Sequence, residues 1–308
     1  MRASAPLRVE VVAVPLLGGA ELSLIDLLDG ARDRLELSFV ALGDGPLVPE
    51  LEARGWPVFT QALEPRPGSV ARAVAALTRR WRGLPVEAVL ANGVKAATAA
   101  LPAARLAGVR AAWFKRDFSY DDLLAAFLGR LADAVVANSE QVGAATRRDD
   151  VVIVPPPRPP DPLLPDEARA RLGLFADGPV VAAVGRLVSY KGVDDVIEAL
   201  ARPEARSWRL AVIGSDDHAE PGERERLASL AARLGVGERV HLLGPAPDAG
   251  RLLSGVEAVA VTTKTDAKGF GREGFSRVAL EAMHAGTPVI ATTGGAVTAR
   301  LGGAGIAV

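Results

Sequence analysis

The sequence predicts an α/β protein built from two parallel-sheet domains of the Rossmann type. Short apolar runs of four to eight residues alternate with longer stretches of helical periodicity, the alternation starts again after residue 176, and a proline-rich segment separates the two halves. Strands that alternate with helices are typical of βαβ units, in which neighbouring strands run parallel. At 308 residues the chain is long enough for two domains with separate cores.

In the first half, apolar runs predict buried strands at residues 9–14, 37–42, 88–91 and 134–137, and periodic segments predict helices at 20–28 and 69–81. Glu10 and Pro15 interrupt the first run, and no small-residue cleavage site follows it. We therefore interpret this run as a strand and not as a signal peptide.

In the second half, strands are predicted at residues 180–184, 209–213, 240–243, 256–261 and 289–292, with a helix at 193–200. The proline-rich segment 155–165 lacks amide donors and has fixed φ angles, which disfavours helix and sheet. We assign residues 1–154 to an N-terminal domain, 155–175 to a linker and 176–308 to a C-terminal domain. A ligand for an SH3-like partner is the alternative interpretation of the prolines.

The composition excludes several kinds of chemistry. A net charge of −1 with 24% charged residues does not favour a nucleic-acid partner. The absence of cysteine excludes disulfides, thiolate nucleophiles and cysteine-ligated zinc, and is compatible with a reducing cytoplasm. No apolar stretch reaches the roughly 20 residues of a membrane-spanning helix, so we expect at most peripheral membrane contact. The predicted helix 69–81 has an apolar stripe beside several arginines, which packing against a sheet explains better than a membrane surface.

The segment 273–289 is the most informative part of the sequence. Ser276 is a preferred N-cap, Gly286 suits the position after a helix, and Pro288 cannot continue one, so a short helix is predicted over about 277–285. The backbone amides of residues 274–276 then lie at a helix N-terminus, where a diphosphate binds favourably.

Two glutamates flank these amides. Glu273 precedes the helix and can accept hydrogen bonds from sugar hydroxyls, whereas Glu281 lies within it and can accept them from a ribose. An ion pair between Glu281 and Arg277 on a solvated face is the alternative, with a stabilisation of about 0.3–0.5 kcal/mol.

Two cations, Arg186 and Lys191, follow the predicted strand 180–184. Ligands of open α/β sheets bind outside the carboxyl ends of the strands, so both cations can face the same diphosphate. The leaving phosphate of a glycosyl transfer is stabilised by a divalent ion or by fixed cations, and the chain has no Asp-x-Asp pair. The sequence therefore favours a site without metal. An ordinary solvated loop is the alternative.

Taken in order, these motifs resemble the family 4 retaining glycosyltransferases of GT-B fold, the glycosyl transferases group 1. The resemblance is carried by residues 18–21 after the first strand, residues 185–192, the pair Glu273 and Glu281, and the spacing of the strands between them. It covers almost the whole chain. It implies two Rossmann-like domains that face a central cleft, and sugar transfer with retention by same-face attack.

The resemblance also implies a role for each matching residue. The implied catalytic residues are Glu273 at the transferred sugar and Arg186 and Lys191 at the donor diphosphate. The implied donor-binding residues are Gly19, Gly185, Gly274, Phe275, Ser276 and Glu281. We expect no cofactor or metal; the donor substrate is a nucleotide diphosphate sugar, with UDP favoured over GDP, and the acceptor is a glycan, a lipid-linked molecule or a small molecule. The implied location is the cytoplasm, at most peripheral at the inner membrane face.

The chain departs from the family pattern in two places. Many members place a histidine in the segment that corresponds to residues 113–117, but here no histidine precedes His218. Lys115 and Arg116, with Asp117 as partner, are therefore the acceptor-side candidates, and an ordinary solvated loop is the alternative. The chain also ends at Val308, where relatives continue through terminal helices, so we expect either a fragment or a short variant of the family.

Three rival functions follow from the same residues. Residues 269–274 match G-x-G-x-x-G, but the match does not follow the first strand as a nicotinamide dehydrogenase requires. A non-catalytic relative that binds sugar nucleotides, or an inactive fragment, is the main alternative and predicts donor binding without transfer. A GT-B epimerase is the third, and the glutamate pair does not support it.

Overall fold

A computed structural model describes residues 5–64, 66–121, 123–154, 157–173, 178–216, 220–265, 274–293 and 297–308. The chain divides into two compact units, Met1–Pro157 and Arg158–Val308. Each unit contains one sheet, and every strand pair in the described residues is parallel. The predicted fold class, α/β with two Rossmann-like parallel sheets, is confirmed.

The first unit has a seven-stranded sheet in the order β3-β2-β1-β4-β5-β6-β7. Its strands are β1 (Leu7–Ala13), β2 (Leu35–Ala41), β3 (Val58–Thr60), β4 (Ala88–Asn92), β5 (Arg110–Lys115), β6 (Ala134–Ala137) and β7 (Val152–Ile153). Its helices are α1 (Gly19–Asp29), α2 (Leu47–Glu52), α3 (Pro67–Gly83), α4 (Gly93–Ala107), α5 (Leu123–Leu131) and α6 (Glu140–Ala144).

Apolar residues cover both faces of this sheet. Alternate residues of a strand point to opposite faces, so Val12 joins a cluster with Leu77 and Trp81 of α3, whereas Val11 joins one with Leu24 of α1. The stripe of α3 therefore packs in the core, as the sequence favoured. No helix in the described part of the chain combines the length and hydropathy needed to cross a bilayer.

Glu10, which interrupts the first apolar run, is fully buried in β1. Its carboxylate accepts hydrogen bonds from Arg80 at 2.8 Å, from the indole of Trp81 at 2.6 Å and from Ser38 at 3.1 Å. A buried charge is tolerated when it is paired and hydrogen-bonded, so the strand continues through this residue.

The second unit has a six-stranded sheet in the order β10-β9-β8-β11-β12-β13. Its strands are β8 (Val180–Val184), β9 (Arg209–Ile213), β10 (Val240–Gly244), β11 (Ala258–Val261), β12 (Val289–Ala291) and β13 (Gly305–Ala307). Its helices are α7 (Pro165–Arg171), α8 (Val193–Leu200), α9 (Glu223–Arg233), α10 (Ala249–Leu252), α11 (Arg277–His284) and α12 (Thr298–Leu301).

Helix α7 lies within the range 155–175 that the sequence assigned to a linker. It begins at Pro165, and proline suits the first position of a helix because the missing N–H would have no intrahelical partner there. Ala168 and Leu172 are buried, and Leu172 joins the core of the second unit. Residues 158–173 therefore belong to the second unit.

Each sheet has a topological switch point where the strand order reverses. In the first sheet it lies between β1 and β4, and in the second between β8 and β11. Connections leave these neighbouring strands in opposite directions, and the crevice between them is where open α/β sheets bind ligands. The loops at these two positions therefore contain the candidate sites.

Candidate active site

The loop after β8 carries both predicted cations at the carboxyl edge of the second sheet. Gly185 donates its N–H to the Ile213 carbonyl at 3.0 Å, and Leu187 donates to the Ser215 carbonyl at 2.8 Å, so the loop continues beside the segment after β9. Gly214 permits this approach, because a Cβ there would lie 1.8 Å from the Gly185 carbonyl oxygen.

A single 3-10 turn, Ser189–Lys191, carries Lys191 towards the switch point. The next residue, Gly192, has φ +69°, and a Cβ on it would lie 2.0 Å from the Thr262 carbonyl oxygen. The Thr262 hydroxyl donates to the carbonyl of Gly192 at 2.9 Å and of Lys191 at 3.2 Å. These hydrogen bonds hold the loop after β8 against Thr262, which follows β11 on the other side of the switch point.

Lys264 adds a second connection. Its N–H donates to the Tyr190 carbonyl at 2.7 Å, and its ammonium group pairs with Asp194 at 2.9 Å and Asp195 at 2.8 Å in the first turn of α8. Burial acts to lower the pKa of Lys264, but the hydrogen bonds that its ammonium group donates to the two aspartates, together with their negative charges, outweigh burial, so the pKa is raised. Lys264 therefore links the segment after β11 to the first turn of α8 through its charge.

The side chain of Tyr190 lies beside both predicted cations. Arg186 is exposed and donates to the Tyr190 hydroxyl at 3.2 Å, and the ammonium nitrogen of Lys191 lies 5.9 Å from the ring centroid. Gly185 has φ +140°, and no heavy atom lies within 4 Å of the position that its Cβ would take. Arg186 is thus exposed at the sheet edge and Lys191 is half-buried there, while their contact with a diphosphate stays a prediction.

Helix α11 begins as the sequence predicts. The Ser276 hydroxyl accepts a hydrogen bond from the Ala279 N–H at 3.2 Å, and Gly286 adopts φ +75° after the helix ends. Gly274 and Ser276 are buried and Phe275 is half-buried. Because α11 connects the parallel neighbours β11 and β12, its N-terminus lies at the same carboxyl edge as the loop after β8.

Glu281 forms the ion pair that the sequence left as its alternative. The Arg277 Nε atom lies 2.9 Å from a Glu281 carboxylate oxygen. The Glu281 side chain is only 11% exposed, so the pair does not lie on a solvated face. Gly250 of α10 provides the room, because a Cβ there would lie 2.6 Å from the Glu281 Cδ atom. A role for Glu281 at the ribose stays a prediction.

The predicted catalytic residue Glu273 lies outside the described residues, as do residues 269–273 of the G-x-G-x-x-G match and His218. Among the residues that are described, no group of three or more histidine, aspartate or glutamate side chains is arranged to hold a metal ion.

In the first unit, the solvated-loop interpretation of residues 115–117 is wrong for the two cations. Lys115 is fully buried and Arg116 is 8% exposed. The Lys115 ammonium donates to the Asp117 carbonyl and to the Asp121 carboxylate. The Asp117 carboxylate instead accepts from the Ser119 N–H at 2.9 Å. Lys115 is therefore committed to internal contacts.

Arg116 follows β5 and is fixed by residues from neighbouring strands. Its Nε donates to the Asn92 side-chain oxygen at 2.7 Å, and its carbonyl accepts from the Asn138 side-chain amide at 2.7 Å. Burial lowers the pKa of Arg116 to about 10, and the carboxylate of Glu21 acts in the opposite direction. The guanidinium is therefore cationic at neutral pH.

Gly19 is the exposed first residue of α1. The preceding Gly18 donates its N–H to the Glu21 carboxylate at 3.2 Å, which closes the N-terminal turn. The predicted role of Gly19 near the donor stays a prediction. Sequence reasoning missed Asn92, Asn138 and Lys264; a polar residue directly after an apolar strand was the available signal for the first two.

The family match and the curated relatives each cover less than half of the chain, and the family match lies in its second half. Residues 165–300 match the family model described as "Glycosyl transferases group 1". The D-inositol 3-phosphate glycosyltransferase of Acidothermus cellulolyticus is 41% identical over 137 residues, which are 42% of this chain and 30% of that protein. The lipopolysaccharide core biosynthesis glycosyltransferase LpsE of Rhizobium meliloti is 35% identical over 125 residues, 40% of this chain and 32% of that protein. The chain thus spans about a third of the length of these curated relatives.

Similarity to solved structures extends over nearly the whole chain. Anabaena Alr3699/HepE, solved in complex with UDP and glucose, is 25% identical with a TM-score of 0.81, covering 98% of this chain and 85% of that one. WaaG, a glycosyltransferase involved in lipopolysaccharide biosynthesis, shares the fold at 17% identity with a TM-score of 0.70, covering 98% and 86%. The chain therefore has the Rossmann-like units of the GT-B glycosyltransferases, and its residues 165–300 match the glycosyl transferases group 1.

Proposed function

We propose that this protein is a glycosyltransferase that uses a UDP-sugar as its donor. The proposal rests mainly on the position of residues 185–192, whose last two carbonyls accept hydrogen bonds from Thr262 on the other side of the switch point of the second sheet. This contact presents Arg186 and Lys191 at the edge where α11 begins. The UDP-glucose complex of the Anabaena protein, to which this chain is 25% identical over 95% of its length, supports the choice of donor.

In this proposal the donor diphosphate is bound by cations and by backbone amides. Arg186 and Lys191 contact the phosphate oxygens, and the amides of Gly274, Phe275 and Ser276 add a helix N-terminus. Glu281 contacts the ribose; each carboxylate oxygen has two lone pairs, so the pair with Arg277 leaves capacity for ribose hydroxyls.

The chemical step exchanges one bond at the anomeric carbon for another. The bond from that carbon to the diphosphate oxygen breaks, the acceptor oxygen forms the new bond on the same face, and the acceptor proton passes to the departing diphosphate. Fixed cations stabilise the charge that develops on the leaving group, so the step needs no metal ion. Glu273 holds the hydroxyls of the transferred sugar, and the configuration is retained.

We assign donor binding to residues 176–308 and acceptor binding to residues 1–154, with residues 155–175 between them. The acceptor is a glycan, a lipid-linked molecule or a small molecule. The absence of cysteine fits a cytoplasmic location, with at most peripheral contact with the inner membrane face.

A transfer assay with UDP-glucose and excess chelator tests this function. Release of UDP should persist in chelator, and Glu273→Gln should lower kcat by about 100-fold, since one charged contact to the transition state is lost. The matched control is Glu204→Gln, because Glu204 is exposed in the turn Pro203–Ala205 after α8. Loss of activity in chelator with recovery on adding a divalent ion would contradict the metal-free step, and full activity of Glu273→Gln would remove its role.

A non-catalytic protein that binds sugar nucleotides is the second candidate. It predicts that UDP-glucose binds with a measurable heat but that no UDP is released with any acceptor.

A further inference from the structure

Three polar residues lie side by side at the carboxyl edge of the first sheet. Asn92 ends β4, Arg116 follows β5 and Asn138 follows β6. The parallel register pairs Asn92 with Phe114 and Lys115 with Ala137, so the three residues are neighbours across adjacent strands. Their exposed fractions are only 2%, 8% and 9%. The edge therefore contains a buried polar group next to the switch point between β1 and β4.

The guanidinium of Arg116 is fixed before any ligand binds. Its Nε donates a hydrogen bond to the side-chain oxygen of Asn92, and its Cζ atom lies 3.5 Å from the ring centroid of Phe114. The backbone carbonyl of Arg116 accepts a hydrogen bond from the Asn138 side chain. Contact of a guanidinium with an aromatic face is favourable and further limits its rotation. A group oriented in this way loses little conformational entropy when it binds.

One nitrogen of this guanidinium has an unmet hydrogen-bonding requirement. Nη2 is buried and has no hydrogen-bond partner among the described residues. A buried donor without a partner destabilises a protein by about 1–3 kcal/mol, and by more when the group is charged. Native structures contain few such atoms, and binding of a ligand or an ion is one of their explanations.

Asn138 has a complementary atom. Its amide nitrogen donates to the Arg116 carbonyl, which sets the orientation of the amide, and its side-chain oxygen is buried with no hydrogen-bond partner in the described part of the chain. One edge thus combines a cationic donor with a neutral acceptor. This combination suits an anionic group with a hydroxyl near it.

We propose that Arg116 binds an anionic group, a phosphate or a carboxylate, on the sugar acceptor. That the ligand is the acceptor rests on the proposed function. Phosphate and carboxylate oxygens match the geometry of a guanidinium and form its strongest hydrogen bonds. The donor diphosphate is the other source of the same chemistry, and the test separates the two.

Titration calorimetry with inorganic phosphate, on the full chain saturated with UDP, tests the proposal. Phosphate should bind the wild type in the presence of UDP, and Arg116→Gln should weaken this binding by at least about tenfold. Arg110→Gln is the control, because Arg110 is exposed at the opposite end of β5 and the variant makes the same change in charge. It should change phosphate affinity by less than about twofold.

Equal phosphate affinity in the wild type and Arg116→Gln would overturn the proposal. Phosphate binding that disappears when UDP is present would overturn the acceptor assignment, since the anion would then belong to the donor. If Arg116→Gln does not fold, Arg116→Lys is the second variant. Lysine keeps the charge but has a single nitrogen in place of the guanidinium group, so this variant should also weaken phosphate binding. The UDP titration that precedes each experiment tests the donor site separately.

Discussion

At the scale of single residues, Glu281 is the side chain with two competing explanations. It pairs with Arg277 four residues earlier, at 2.9 Å, and it lies in the helix whose N-terminus is proposed to bind the diphosphate. An ion pair on a helix stabilises it by roughly 0.2–0.5 kcal/mol. That gain alone does not explain why the carboxylate packs directly on Gly250, where a Cβ would lie 2.6 Å from the Glu281 Cδ atom.

We therefore predict that Glu281→Gln lowers the affinity for UDP by about tenfold, because the neutral amide has one acceptor oxygen in place of two charged ones and binds the ribose hydroxyls more weakly. Arg277→Gln breaks the same ion pair and should lower it by a smaller factor. Calorimetric titration of UDP into both variants gives the comparison. Equal losses in the two variants would show that Glu281 acts only through its ion pair.

The chemistry of these residues was predictable from sequence to different degrees. Ser276 was identified as the N-cap because capping depends on residues within one turn. The contacts of Thr262 with Lys191 and of Arg116 with Asn92 join residues 71 and 24 positions apart, and no local pattern reports them. Their roles depend on which strands become neighbours.

At the scale of elements, the loop after β8 depends on glycine at positions where the backbone of another segment lies close. Gly192 has φ +69° and faces the Thr262 carbonyl, whereas Gly235 has φ +68° and nothing within 4 Å of its Cβ position. The two residues share one backbone conformation and differ in the space around it. Substituting each by alanine therefore separates the effect of the close Thr262 carbonyl from the effect of the backbone conformation.

Gly235→Ala should lower the free energy of unfolding by about 1–2 kcal/mol, the strain of a left-handed residue with a Cβ. Gly192→Ala should lower the free energy of unfolding by about 1–3 kcal/mol more than Gly235→Ala does, because the added methyl group must displace the Thr262 carbonyl. It should also weaken UDP binding, which Gly235→Ala should not. Urea unfolding and UDP titration measure both effects. Similar losses for the two variants would mean that the loop is not held against β11.

Elements with a strong internal pattern were predicted well, and others were not. α8 and β8 match their predicted ranges because apolar residues recur with the period of each element, Gly192 precedes α8, and Gly185 follows β8. β5 was missed: its apolar residues stand between Arg110 and Lys115, and pairing with β4 and β6 makes it a strand. β3, β7 and β13 have two or three residues, too few for periodicity. α7 is not predicted, because the prolines of segment 155–165 disfavour a helix in its interior, whereas Pro165 occupies the first helical position, which proline suits.

At the scale of the whole molecule, the stability of the second unit should depend on His241 in β10. Burial is the main cause that lowers the pKa of His241 below its ordinary value of 6.5, and the positive charge of Arg209 lowers it further. The unfolded chain therefore binds the proton at a higher pH than the folded chain does. The stability from the neutral imidazole is present above pH 6.5 and is lost as the pH falls through the folded pKa.

We predict that His241→Gln reduces the loss of stability between neutral and mildly acidic pH. Urea unfolding of the wild type and the variant across this range measures it. Carboxylates that titrate at lower pH are common to both proteins and cancel in the comparison. Parallel profiles for the two proteins would contradict the lowered pKa of His241 in the folded chain.

The central claim is that the carboxyl edge of the second sheet binds a nucleoside diphosphate. Lys191 precedes α8 and Arg202 lies exposed beyond its end, so Lys191→Gln and Arg202→Gln remove the same charge from opposite ends of one helix. In calorimetric titration with UDP, Lys191→Gln should weaken binding by at least about tenfold, and Arg202→Gln by less than about twofold. A wild type that does not bind UDP, or equal UDP affinity in the wild type and Lys191→Gln, would contradict the claim.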